Sequence, residues 1–178
     1  MSLSQHVRLM AQYNQWMNQK IFAAAATLTT AALEQDRGAF FGSIFATLNH
    51  LAVGDTIWLK RLSSAFPDSW GLNAAKDLPP FSGLDQLIYP DLAGLLEYRL
   101  ALDAIFNQLG EVAQDEVLLQ DLDYKDLKGN PCRKQVFSLL MHVFNHQTHH
   151  RGQVSTLFSQ AGVDIGVTDL NALIPSSN

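Results

Sequence analysis

Apolar side chains recur at three- and four-residue steps along four long stretches of this chain, the spacing of an amphipathic helix. In residues 3–28, Val7, Met10, Tyr13, Asn14, Met17 and Ile21 mark such a face, and an alanine run favours helix further. "TTAALEQDRGAF" holds one more turn before a break at Gly38. A second helix is predicted over about 41–64, and Pro67, Gly71, Pro79, Pro80 and Gly83 then mark a long connection. A third helix covers about 84–109, where Pro90 predicts an early kink or a start nearer Asp91. "LLQDLDYKDLKGNPCRKQV" carries a Lys-Gly-Asn-Pro turn between short extended stretches, the pattern of a small β-hairpin. The fourth helix runs from about Arg133 to Gln160 and stops at Gly162. The expected fold is all-α: a four-helix bundle whose proline-rich link allows a crossover connection. A cut near residue 75 would leave two helical hairpins, neither with enough apolar surface, so residues 1–178 are read as one domain.

Composition narrows the function classes. The chain is 47% hydrophobic, which argues against disorder, and its formal net charge of −5 argues against nucleic acid and anionic membrane surfaces as partners. No apolar run is long enough to span a bilayer, and the N-terminal segment lacks the features of a signal peptide. Cys132 is the only cysteine, so no intrachain disulfide forms; it reads as a passive small residue beside a turn rather than a reactive thiol. The expected location is the cytoplasm.

Four of the six histidines, His142, His146, His149 and His150, crowd into nine residues of the last helix. With His142 at zero on a helical wheel, Val136, Leu139, Leu140, Val143, Val154, Leu157, Phe158 and Ala161 fall between roughly 60° and 160°. His150 lands within this apolar arc at about 80° and His146 on its edge at about 40°. His142 lies further out, and His149, at about 340°, points away. His149 and Arg151 are read as surface or partner-contact residues, and Gln147 as partly inward. An i,i+4 pair of imidazoles can share one zinc, nickel, copper or iron ion. The competing reading is a pair of core histidines bonded to backbone or water.

A third ligand must come from another element. His50, in "TLNHLAVGD", is one candidate, with Thr47 and Gly54 on its side leaving room for an ion; His6 is a weaker one, near the chain terminus. Asp55 is either a carboxylate ligand or an acceptor for a ligand's N–H, or else a partner in a helix salt bridge or a plain N–H acceptor, the blander pair being favoured. "HQTHH" resembles the zincin spacing but carries Gln147 where that motif needs its general-base glutamate, which argues against zincin-type proteolysis. None of the four glutamates stands three residues before a histidine, which excludes a ferritin-like di-iron site. No P-loop, G-x-G-x-x-G or nucleophile elbow is present. Tyr13, Trp16 and Trp58 either wall a pocket or form plain core, and Asp55 and Tyr13 are nominees for a general base.

"YNQWMNQKIF", "TLNHLAVGDTIWLKRL" and "HVFNHQTHHRGQVSTLFSQAGVDIGVTDL" resemble, in order and over nearly the whole chain, the DinB family of the DinB/YfiT-like superfamily. The resemblance implies a four-helix bundle with a crossover, a homodimer, and one divalent metal held by three histidines, which match His50, His146 and His150. The metal is expected to be zinc or nickel, with iron also compatible. The implied chemistry is that of a metal-dependent hydrolase or a transferase of low-molecular-weight thiols, acting on a small-molecule substrate. The alternative is a non-catalytic, metal-dependent small-molecule-binding or stress-response protein.

Overall fold

The computed structural model describes residues 1–66, 71–81 and 83–176; Pro67, expected in the connection, lies outside them. Seven α-helices and one hairpin follow in chain order: α1 (Leu3–Ala25), α2 (Thr30–Glu34), α3 (Ile44–Ala65), α4 (Asn73–Lys76), α5 (Leu92–Val112), α6 (Asp115–Leu118), β1 (Asp121–Lys125), β2 (Pro131–Gln135) and α7 (Val136–Gln160). A 3-10 turn covers Leu170–Leu173.

Local sequence sets the ends of the long helices. Ser2 and Gln5 form a capping box on α1, and Ser43 accepts the Ala46 N–H at the start of α3. Pro90 does not kink α5. The helix begins after it, with the Asp91 carboxylate accepting the Gly94 N–H. Asp91→Ala should therefore cost about 1 kcal/mol of stability, read from a urea melt. No side chain caps α7, which starts three residues later than the sequence pattern suggests because Arg133–Gln135 belong to β2. Its first N–H is bound instead by the Gln120 carbonyl beside the hairpin. Gly162 closes α7 in the left-handed region at φ 75°, and the Val163 N–H returns to the Phe158 carbonyl.

The four long helices surround one apolar core that includes Val7, Ile21, Leu59, Leu102, Phe106, Phe144 and Phe158. Contacts along the helices give their directions. His50 lies against His150, and Trp58 against His142, so α3 and α7 are antiparallel. Asn18 meets Asp103, and Arg8 meets Glu111, so α1 and α5 are antiparallel. Asn49 binds the Ile88 N–H ahead of α5, and Asp55 and Thr56 meet Arg99 and Tyr98, so α3 and α5 run parallel. Parallel neighbours need a connection that travels the length of the bundle. The proline-rich link does this: Lys60 holds the Leu78 carbonyl, His50 the Leu84 carbonyl and Asn49 the Ile88 N–H, so the link returns along α3.

The hairpin pairs Asp121 with Gln135 through Lys125 with Pro131, antiparallel, and Gly129 supplies the φ of 84° that its turn requires. Leu122 is buried, and Tyr124 packs edge-on to Trp58.

Three charged groups are buried together between α3 and α5. Arg99 reaches Asp55 at 2.6 Å and Asp103 at 3.0 Å, and all three are at most 3% exposed. Asn18 donates to Asp103 from α1 at 2.9 Å. Asp55 is thus half of a cross-helix ion pair.

Candidate metal centre

The antiparallel crossing of α3 and α7 brings His50, His146 and His150 together. His50 Nε2 lies 3.1 Å from both His146 Nε2 and His150 Nε2. The three ligand atoms fall within 4.8 Å of one another, and no other such group of three metal-ligating side chains occurs among the described residues. His6 stands elsewhere, against Phe137. His142 faces Trp58 and His149 is exposed, as the wheel predicts for residues off the apolar arc.

Second partners fix the ring orientation. The Leu84 carbonyl, 2.8 Å from His50 Nδ1, can only accept, so Nδ1 carries the proton and Nε2 presents a lone pair. Gln153 Oε1 holds His150 Nδ1 in the same way at 2.7 Å. A proton on His146 Nε2 could bridge to one neighbour. The His50 and His150 nitrogens would still face each other lone pair to lone pair. A cation between them removes that repulsion. Three nitrogens bound to one ion at about 2.1 Å lie about 3.0 Å apart at right angles and about 3.4 Å apart at tetrahedral angles. The two separations from His50, 3.1 Å each, fall between these limits, and the three atoms lie within 4.8 Å of one another, so the cluster is compatible with a divalent ion once the His146 and His150 rings turn slightly toward each other.

All three rings are held neutral, the form that binds metal. Burial lowers the pKa of each: His146 to about 3, helped by the neighbouring imidazoles, and His50 and His150 against opposing hydrogen bonds from Leu84 and Gln153. In metal-free protein the unfolded chain therefore takes up these protons first. Well above pH 6.5 these three rings are neutral in both states and contribute no pH dependence; as the pH falls through 6.5 stability falls, down to about pH 3 for His146. Chelator-treated protein should melt at a lower temperature at pH 5 than at pH 7.5, and His146→Ala should flatten that dependence.

Gly54 makes room for the His146 ring rather than for an ion. A Cβ there would stand 3.1 Å from His146 Cε1. Thr47, also expected to leave space, is buried and donates to the Ser43 carbonyl. Phe41 stacks on His50 with centroids 3.9 Å apart and meets His150 edge-on. The cluster opens into a cleft of about 470 Å³ walled by Phe40, Phe41, Leu84 and Asp85.

A family model for the DinB family matches residues 1–176. The chain belongs to the DinB family. Protein DinB of Bacillus subtilis (strain 168) is 28% identical over 164 residues, covering 89% of this chain and 87% of that protein. The crystal structure of a DinB-like protein from Bacillus cereus ATCC 10987 superposes with a TM-score of 0.50 at 24% identity, covering 89% of this chain and 94% of that one. The second comparison shows the fold: a mostly helical DinB-like architecture with the hairpin before its last helix. This DinB-family chain carries a three-histidine cluster compatible with a metal ion.

Other candidates behave differently. Asp55 is bound by Arg99 and is no ligand. Arg151, expected at the surface, is 3% exposed, its guanidinium on Asn14, Gln147 and Thr148. Gln147 is fully buried and donates to the Leu51 carbonyl, so the position where a zincin has its base is a strut between α3 and α7. The Tyr13 hydroxyl donates to the Thr168 carbonyl, which fastens the "TDL" tail to α1 and takes this nominee out of the cleft. Trp16 and Trp58 do not line the histidine cleft; Lys20 lies over Trp16, and Arg61 over Trp58. Cys132 pairs with Tyr124 in the hairpin, away from the cluster. The cleft residues Phe41, Leu84 and Asp85 were not foreseen. Phe41 and Leu84 stand at the expected starts of the second and third helices, but α3 begins at Ile44 and α5 at Leu92, so both lie in connections, and Leu84 acts through its backbone, which carries no sequence signal. No helix among the described residues is long and apolar enough to cross a membrane.

Proposed function

We propose that His50, His146 and His150 hold one divalent ion, zinc or nickel and in some conditions iron, and that the protein is a metal-dependent hydrolase or thiol transferase acting on a small substrate. The observation that carries this reading is the convergence of three Nε2 atoms, two with their ring protons parked on oxygen acceptors. Three protein ligands leave further positions open, which distinguishes catalytic from structural sites. Such an ion supplies Lewis acidity and lowers the pKa of a water or thiol that it binds.

The residues around it have separable roles. Leu84 and Gln153 orient the His50 and His150 rings, and Phe41 covers one side of the cluster and excludes water there. Phe40 and Leu84 offer an apolar wall at the mouth, and Asp85 is the carboxylate there that can accept a proton from the nucleophile or bind a polar part of the substrate. The reading includes a homodimer in the cytoplasm, without nucleic-acid or membrane partners.

Elemental analysis of protein purified without a histidine tag or chelator tests it. About one ion per chain is expected, lost in His146→Ala/His150→Ala and kept in His149→Ala. No metal in the wild type, even after reloading with zinc or nickel, would remove both the site and the enzyme reading. Turnover of model esters, amides and thiol acceptors by the loaded protein then separates an enzyme from a binding protein.

A further inference from the structure

The core contains two buried arginines with different surroundings. Arg99 has a carboxylate on either side. Arg151 has no carboxylate within ion-pair distance among the described residues. Its guanidinium touches the neutral oxygens Asn14 Oδ1, Gln147 Oε1 and Thr148 Oγ1 and lies 5.4 Å from the centroid of the Tyr13 ring, which offsets part of the charge but not as an anion does, and its Nε has no hydrogen-bond partner. Asp55 and Asp103 act on it only at longer range, and both are already in contact with Arg99. A guanidinium keeps its charge at any working pH, and a buried charge calls for a partner of opposite sign.

A space for that partner lies beside it. On the α1 side of α7, away from the α3 side where the histidines converge, Arg151 lines a recess of about 120 Å³ with Tyr13, Thr148, Ser155 and Thr168. The volume holds several waters or one small polyatomic ion, and is well below that of an ordinary organic-ligand pocket. The Thr148 and Ser155 hydroxyls donate to carbonyls of their own helix and can turn toward a stronger acceptor. Lys20 adds a second positive charge nearby, on the Val167 carbonyl next to Thr168. No carboxylate lines the recess.

We propose that this recess is a second ligand site, distinct from the histidine cluster, that binds one small oxyanion, a carboxylate or a phosphate-like group, against the Arg151 guanidinium. A fork of N–H donors suits two oxygens of either group. Thr168 joins the site because Tyr13 anchors the C-terminal tail over it, so the bound anion also ties that tail to α1 and α7.

The test is thermal melting in sodium phosphate, sodium sulfate and sodium acetate against sodium chloride at matched ionic strength. A chelator is present throughout, so that no metal offers its own anion site. The wild type should gain about 5–10 °C once the effective anion is a hundredfold above its Kd, rising with the logarithm of concentration. A response to phosphate and sulfate alone, or to acetate alone, assigns the source of the oxyanion. Arg151→Gln should lose the response. Ser155→Asp, which places a carboxylate on the recess wall, should melt higher than the wild type in chloride and no longer respond to anions. This second variant leaves Arg151 and its core contacts intact. No gain over chloride in the wild type, or a gain that persists in Ser155→Asp, overturns the proposal.

Discussion

Arg99→Ala should destabilise the protein by about 3–5 kcal/mol, the cost of breaking a buried ion pair from one side. The substitution leaves Asp55 and Asp103 facing each other at 0% and 1% exposure with no cation in contact and no route to water. It also removes one of the polar links between α3 and α5, leaving the Thr56–Tyr98 hydrogen bond. A urea melt should show a lower midpoint at similar slope, since a changed slope would mean a changed denatured state. Replacing all three charges by apolar residues of similar volume should recover most of the loss, because burying charge was costly to begin with. A loss below about 1 kcal/mol in Arg99→Ala would mean that water reaches the pair and that its apparent burial has no energetic weight.

His50→Ala should erase the stabilisation that metal confers. An ion that binds only the native state adds about 4 kcal/mol at a thousandfold excess over its Kd, which for a chain of this size corresponds to roughly 8–16 °C in melting temperature. His50 is the one member of the three-histidine cluster that comes from α3, so its ring is expected to carry the cross-bundle part of that gain. The variant should melt at nearly the same temperature with zinc, with nickel and with chelator, while the wild type separates the three. Its metal-free form should be close to the metal-free wild type, because losing the Leu84 hydrogen bond is offset by removing an Nε2 lone pair that faces the His150 nitrogen. A His50→Ala protein that still melts higher with metal would place the ion on α7 alone, or elsewhere.

The helices and the inward histidine pair were legible because both follow from the 3.6-residue period. His146 and His150 fall on or beside the stripe of Leu139, Val143, Val154 and Leu157, and residues on one stripe of one helix must share a side. His50 was legible only through resemblance. Apolar residues surround much of α3, so its wheel gives no direction, and only the antiparallel crossing with α7 aims the ring. Arg151 was misplaced for a related reason. A charged residue next to the apolar arc is expected at the surface, yet α1 packs over that side and Asn14 and Gln147 supply the oxygens that let it stay.

By itself, then, the sequence determined that four long helices form and about where they lie, which face of α7 is apolar, that a hairpin precedes it, and that no glutamate stands ready for zincin or di-iron chemistry. Those properties depend on residues a few positions apart, where backbone geometry leaves little choice. Tertiary structure alone decided the strap that brings the Leu84 carbonyl to His50, the ion trio of Asp55, Arg99 and Asp103, and the recess beside Arg151. Each joins groups from different helices or connections, 34 residues apart for His50 and Leu84 and 44 for Asp55 and Arg99. Contacts at that separation depend on how the helices cross, and periodicity within one helix carries no information about the crossing.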